Sequence, residues 1–280
     1  MDFAITHTIT YRYSRPVFLE PKTVRLRPRC NAYQKLKEFT LDIDPAPAGR
    51  CDHIDAVGNG ATLLWFSDLH GSMTITARSQ VRTLLINPFD YLVTPPEALS
   101  LPMVYPLSYA GALSPYLFRA APCQAVNTMA RRILDENDDN TQAFVNAMML
   151  ELNREYEQII RHEGDAWPAA KTIELKRGSC RDLAVLYIDA CRSVGLAARF
   201  VSGYKHFVDS IDAGELHAWV EVYIPGAGWR GYDPSEGVVV ADRHIALAAD
   251  AEPAGAAPTT GTFRGTGATS HIDYHIRIDA

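Results

Sequence analysis

The feature that most constrains this chain is a period of two across its first third. Phe3, Ile5, His7, Ile9, Tyr11 and Tyr13 alternate with Ala4, Thr6, Thr8, Thr10, Arg12 and Ser14. Similar runs follow at Val24/Leu26, Phe39/Leu41/Ile43 and Met73/Ile75/Ala77, the last continuing to Val81. Successive strand side chains point to opposite faces, so the pattern describes half-buried antiparallel strands. Gly58-Asn59-Gly60 separates two such segments and tolerates the positive φ of a tight hairpin turn. Residues 1–90 are therefore expected to form an all-β, sandwich-like domain of roughly six or seven strands.

The character then changes. Pro88, Pro95, Pro96, Pro102, Pro106, Pro115 and Pro122 fall in one stretch, seven of the seventeen prolines in the chain. Proline at that density works against helix interiors and central strands, so residues 91–119 read as a linker. Residues 120–280 read as a second, mixed domain. Helices are expected over Pro122–Glu136 and Thr141–Ile160, with Asn140/Thr141 as a start signal and a short turn capped by Thr172. A third helix runs from Gly178 to Val194 and is closed by Gly195. Strands return at Ala198–Gly203, His217–Ile224 and Trp229–Asp233. Ala248–Thr269 reads as a long loop, and the alternation of Ile272, Tyr274, Ile276 and Ile278 predicts a last strand. The fold class is α+β.

Composition narrows the function. With 280 residues and 47% of them hydrophobic, each domain can build a core. A net charge of -6 gives no basic footprint for nucleic acid. No apolar run reaches the roughly 18 to 20 residues of a membrane span, and Met1–His7 has no signal-peptide character, so a cytoplasmic location is the expectation. The five cysteines are odd in number and lack a CxxC pair, which argues against a disulfide framework and a zinc site. No cofactor or metal is expected, and the oligomeric state is not readable.

One thiol stands out. A cysteine is nucleophilic as thiolate, a form favoured by a helix N-terminus and by an adjacent imidazole. Cys180 has the first by position in Arg177-Gly178-Ser179-Cys180-Arg181-Asp182-Leu183-Ala184. Downstream, His217, Trp219, Glu221 and Tyr223 share one strand face, and a turn at Pro225-Gly226-Ala227-Gly228 leads to Asp233. A catalytic imidazole needs a carboxylate to fix its tautomer. A four-residue loop would put Asp233 opposite Val220, on the wrong face. A three-residue loop or a bulge would put it opposite Trp219 or Glu221, on the face of His217. An odd loop count or a bulge around Gly226–Gly228 is therefore predicted.

These residues, with Val194-Gly195-Leu196-Ala197-Ala198-Arg199-Phe200-Val201-Ser202-Gly203-Tyr204, His217-Ala218-Trp219-Val220-Glu221-Val222-Tyr223 and Gly228-Trp229-Arg230-Gly231-Tyr232-Asp233-Pro234, resemble the transglutaminase-like superfamily. The N-terminal strands, with Tyr11-Arg12-Tyr13-Ser14-Arg15-Pro16-Val17 and Val24–Arg29, look like the β-region that precedes this core in bacterial members. The resemblance implies a papain-like core in which Cys180 is the nucleophile, His217 the base and acid, and Asp233 the orienting carboxylate. It implies an amide-bond hydrolase or acyl transferase acting through a thioester on a peptide or protein amide. An arylamine N-acetyltransferase shares the Cys, His, Asp order, but Gly178-Ser179 departs from its paired glycines. A cell-wall peptidase of related fold would normally be exported. A non-catalytic protein-binding module would not be expected to keep all three residues.

The backbone N–H of Cys180 is one oxyanion donor by geometry. Tyr156 and Trp167 are candidates for the second, and Trp219 for a wall of the substrate cleft. Asp182 reads as structural, answering the helix dipole or pairing with a nearby cation. Cys191, about 16 Å along the same helix, is out of disulfide reach of Cys180. His206, His244, His271 and His275 have no carboxylate or cysteine at ligand spacing. Specificity is expected in the loops Lys205–Glu215 and Ala248–Thr269.

Overall fold

The computed structural model describes residues 1–161, 164–207 and 214–280. Part of the expected Lys205–Glu215 specificity loop, residues 208–213, lies outside the described residues. Six strands open the chain: β1 (Asp2–Leu19), β2 (Lys22–Val24), β3 (Gln34–Asp44), β4 (Gly49–Ile54), β5 (Gly60–Trp65) and β6 (Leu69–Thr83). Helices α1 (Leu107–Leu117), α2 (Gln124–Asp135) and α3 (Thr141–Glu155) follow, then β7 (Glu157–Gln158), α4 (Ala169–Leu175), β8 (Arg177–Gly178) and α5 (Cys180–Ser193). The chain ends with β9 (Ala198–His206), β10 (Gly214–Ile224), β11 (Gly228–Asp233), β12 (Val238–Val239), β13 (His244–Asp250), β14 (Thr259–Thr260), β15 (Phe263–Arg264) and β16 (Ser270–Asp279).

The period of two in the first third gives two facing sheets. One holds β3, β6 and β1 in that order, with β15 and β16 both on the far edge of β1; the other is β14-β2-β5-β4. Their inward residues, including Phe3, Ile5, Ile9, Val24, Leu64, Met73 and Ile75, make one core. Each such side chain contributes about 1.5–3 kcal/mol on burial. The last strand belongs here and not to the second domain: β16 runs antiparallel along β1 from Ala4↔Asp279 to Tyr13↔Ser270. The division at residues 120–280 is corrected accordingly, since the chain returns from β14 onward to complete the first domain. The physical reason is the length of β1, eighteen residues, whose second edge would otherwise lie unpaired beside the β6 pairing.

The proline-rich stretch is also more structured than a linker. It forms a single 3₁₀ turn at Pro96–Leu99 and helix α1, and it buries Leu101, Met103, Leu113 and Tyr116. Pro96 and Pro106 stand at helix starts, where a missing N–H costs nothing.

The sheet of the second domain, ordered β12-β11-β10-β9-β13, is antiparallel throughout. Leu183, Leu186, Tyr187 and Ala190 of α5 share a core with Ala218, Val220, Val222 and Ile224 of β10. Edge strand β13, whose last three residues fall in the stretch expected to be the loop Ala248–Thr269, is held from outside by two amide side chains of the β-domain. Gln34 bonds both the N–H (2.8 Å) and the carbonyl (2.9 Å) of Ala246. Asn59 does the same for Ala249, at 2.8 and 3.0 Å. Tyr204, Ile245 and Leu247 join the β-domain core, so the two domains share buried surface. Among the described residues no helix is long and apolar enough to cross a membrane.

Candidate active site

Cys180 is the first residue of α5 and is partly exposed. The loop before it is held by Asp182, whose carboxylate accepts from the N–H (2.8 Å) and hydroxyl (2.7 Å) of Ser179 and from the N–H of Trp167 (2.7 Å). Arg161 supplies the cation, at 2.6 and 2.8 Å. Burial opposes the Asp182 charge, but Arg161 and these N–H donors hold its carboxyl below the usual range. The structural role expected of Asp182 is thus met by Arg161. Gly178 is needed because a Cβ there would stand 2.8 Å from that of Asp182.

His217 and Asp233 come together through strand register. Ile224 pairs with Gly228, leaving the three-residue turn Pro225-Gly226-Ala227, and Val220 pairs with Tyr232. Asp233 therefore falls opposite Trp219 on the histidine's face, as the odd loop count predicted. Gly226 makes the turn possible, with φ of 84° and no room for a Cβ beside the Leu92 carbonyl at 2.5 Å.

His217 Nε2 lies 2.7 Å from Asp233 Oδ2, both groups buried. Asp233 Oδ1 accepts from Ser235 Oγ (2.7 Å), Ser235 N–H (3.1 Å) and Glu236 N–H (3.2 Å). Burial opposes the Asp233 charge, yet the two histidines beside it hold its carboxyl far below the usual range. Burial likewise opposes a charge on His217, but the Asp233 carboxylate, with contributions from Cys180 and Glu215, raises its basicity well above that of an ordinary histidine. With Nε2 committed to Asp233, Nδ1 is the nitrogen left for the thiol. Glu215 Oε1 is 3.3 Å from it, and no aligned hydrogen bond to another described residue occupies it.

The remaining candidates sit elsewhere. The hydroxyl of Tyr156 donates to Met129 Sδ (3.6 Å) and accepts from Lys176 Nζ (3.2 Å), so it is not offered to an oxyanion. The ring of Trp167 packs against the Arg161 guanidinium and the Lys171 ammonium, and its backbone N–H serves Asp182. Trp219 is 1% exposed and packs over Gly203, which leaves it no surface with which to wall a cleft. Ser235 was missed, and could have been found as the residue that closes a turn on Asp233. The reading of His244 as a histidine with no carboxylate beside it is corrected: its Nε2 lies 3.0 Å from Asp233 Oδ2, a contact made through the strand pairing and not through sequence spacing. His217, Asp233 and His244 have ligand atoms within 4.8 Å of one another. Both ring nitrogens are directed at one carboxylate oxygen at hydrogen-bond distance, an arrangement a metal would have to break.

Residues 3–82 match the bacterial transglutaminase-like N-terminal region, and residues 127–234 match the transglutaminase-like superfamily core. The chain belongs to the transglutaminase-like superfamily. This transglutaminase-like chain is 26% identical over 280 residues to Uncharacterized protein ML0607 of Mycobacterium leprae, spanning 98% of this chain and 97% of that one. It is 27% identical over 298 residues to Uncharacterized protein Rv2569c of Mycobacterium tuberculosis, covering 99% and 92%. In fold it is similar to a protein from Cytophaga hutchinsonii described provisionally as a cysteine protease, with a TM-score of 0.74 at 22% identity over 100% of this chain and 90% of that one. The family and fold support a cysteine-dependent hydrolase or acyl transferase in general terms.

Proposed function

We propose that this chain cleaves or transfers an acyl group from a peptide or protein amide, through a thioester on Cys180. The observation that carries the reading is the buried 2.7 Å bond between His217 Nε2 and Asp233, which leaves Nδ1 for a thiol at the start of α5. His217 takes the thiol proton and Sγ attacks the carbonyl carbon, giving a tetrahedral oxyanion. The N–H groups at the start of α5, that of Cys180 among them, face the developing charge. Collapse breaks the C–N bond as the imidazolium gives its proton to the leaving amine. The same imidazole then deprotonates water or an incoming amine, which attacks the thioester and releases Sγ. Asp233 stays ionised throughout and holds the ring in one orientation.

The test is to incubate the protein with a library of glutamine-containing and other peptides, quench with acid and locate acyl adducts by mass spectrometry. Adducts on Cys180 that vanish in Cys180→Ala are expected. Turnover that persists in Cys180→Ala, or adducts on another cysteine, would overturn the reading. An acetyl adduct formed only from acetyl-CoA would replace it with the arylamine acetyltransferase alternative.

A further inference from the structure

Asp233 holds two imidazoles on one oxygen, and only one of them serves the thiol. His244 Nε2 lies 3.0 Å from Oδ2, the atom that also takes His217 Nε2 at 2.7 Å. The two rings are tilted by 54° with centroids 6.2 Å apart, and His244 stands edge-on to Trp219 at 5.2 Å. His244 is buried, and its Nδ1 has no hydrogen-bond partner among the described residues. Burial, and then the nearby His217 and Lys205, disfavour a charge on it; the Asp233 carboxylate opposes them without prevailing. A neutral ring facing an ionised carboxylate must carry its proton on Nε2, since a bare nitrogen there would set lone pair against lone pair.

The ring is also held from behind. It opens β13, whose next residues are tied to Gln34 and Asn59 on the outer edge and pair with β9 on the inner one. We propose that His244 is a positioning residue: as an Nε2–H donor it fixes Asp233 Oδ2 where it meets His217 Nε2, and the β-domain fixes His244 through β13. The inference rests on the proposed Cys180–His217–Asp233 triad. Without the donor, Oδ2 has one partner where it now has two; the three donors on Oδ1 still hold that oxygen, but Oδ2 is left to the His217 bond alone and orients that ring less tightly.

The experiment measures site-resolved alkylation of Cys180 by iodoacetamide in the full chain between about pH 5 and about pH 9, for the unmodified protein, His244→Gln and His244→Phe. Glutamine places an amide N–H near the position of Nε2, whereas phenylalanine keeps the ring against Trp219 and removes the donor. His244→Gln should react within about threefold of the unmodified protein. His244→Phe should react about 10- to 100-fold more slowly at Cys180, with Cys30 and Cys51 unchanged. Equal rates for His244→Phe and the unmodified protein would overturn the positioning role, as would an equal loss in His244→Gln. If Cys180 of the unmodified protein reacts no faster than Cys30, the triad itself fails and the positioning role falls with it. A measurement without substitution guards against misfolding: ¹⁵N imidazole shifts should show His244 neutral, protonated at Nε2 and bare at Nδ1. A ring protonated at both nitrogens, or at Nδ1 alone, contradicts the proposal.

Discussion

The β-domain and the catalytic sheet are both antiparallel, but they treat polar residues in opposite ways. Along β1 the buried residues Ile5, Ile9 and Tyr11 alternate with half-exposed threonines. The outer face carries solvated ion pairs such as Arg78 with Asp42 and Lys37 with Asp2. Such pairs are worth little. In the catalytic sheet, β9 is buried along nearly its whole length and β13 along all but its last residue. A polar side chain there has no water to fall back on and is costly to bury unless it is bonded. The partners that satisfy it also fix its geometry, which is why His217, Asp233, Ser235 and His244 form one network. Burial on both faces is thus what makes a site of groups that would be unremarkable on the β-domain's outer surface.

The contrast can be broken first at Asp233. Asp233→Ala strands two imidazoles, one hydroxyl and two backbone N–H groups, and should cost about 3–5 kcal/mol by urea denaturation. Asp233→Asn should be milder in stability yet still lower acylation of Cys180 by about 10³-fold or more. Next is acid. His7 crosses from β1 to bond Tyr204 at 3.0 Å, and burial pushes its pKa down to about 4. The unfolded chain, with a histidine near 6.5, takes the proton first, so stability is fully present above about pH 6.5 and is lost as the pH falls toward about 4. The loss should be on the order of 3 kcal/mol, read as the difference in thermal midpoint between the unmodified protein and His7→Phe across that range. Smaller is Gln34→Ala, which leaves the Ala246 N–H unpaired while the Arg29 N–H still serves the Ala246 carbonyl, or Asn59→Ala, which removes the partner of both the N–H and the C=O of Ala249, at about 1–3 kcal/mol with Cys180 alkylation slowed. Smallest is Asp42→Asn on the outer face, which should change stability by no more than about 0.5 kcal/mol.

The same contrast explains what the sequence disclosed. Strands with one solvated face announce themselves, as β1, β6 and β16 did, because water enforces the alternation. The turn at Gly226 could be worked out because a one-residue slip would have moved Asp233 to the wrong face. Strand β13 was invisible: His244-Ile245-Ala246-Leu247-Ala248-Ala249 is buried on both faces, so it does not alternate, and its alanines have little strand preference. The carboxylate partner of His244 was hidden with it. The return of β16 to β1 was equally unreadable, since alternation reports that a strand has a core face and not which edge it joins. Helix α3 stops at Glu155, short of the expected Ile160, because Glu157 and Gln158 pair with Arg177 and Gly178 instead. Nothing local in the sequence marks a parallel pairing across that distance.

The central claim, that burial and strand register turn one thiol of five into a nucleophile, is tested most directly by the order in which the cysteines react. Cys30 and Cys51 are exposed, Cys123 and Cys180 are partly covered, and Cys191 is buried with its thiol pushed far up by burial. Limiting iodoacetamide at neutral pH, followed by peptide mapping, separates accessibility from activation. The account predicts that Cys180 is alkylated first, ahead of the more exposed Cys30 and Cys51, and that Asp233→Asn removes the advantage. Labelling in the order of exposure, with Cys30 and Cys51 leading and Cys180 indistinguishable from Cys123, would contradict it.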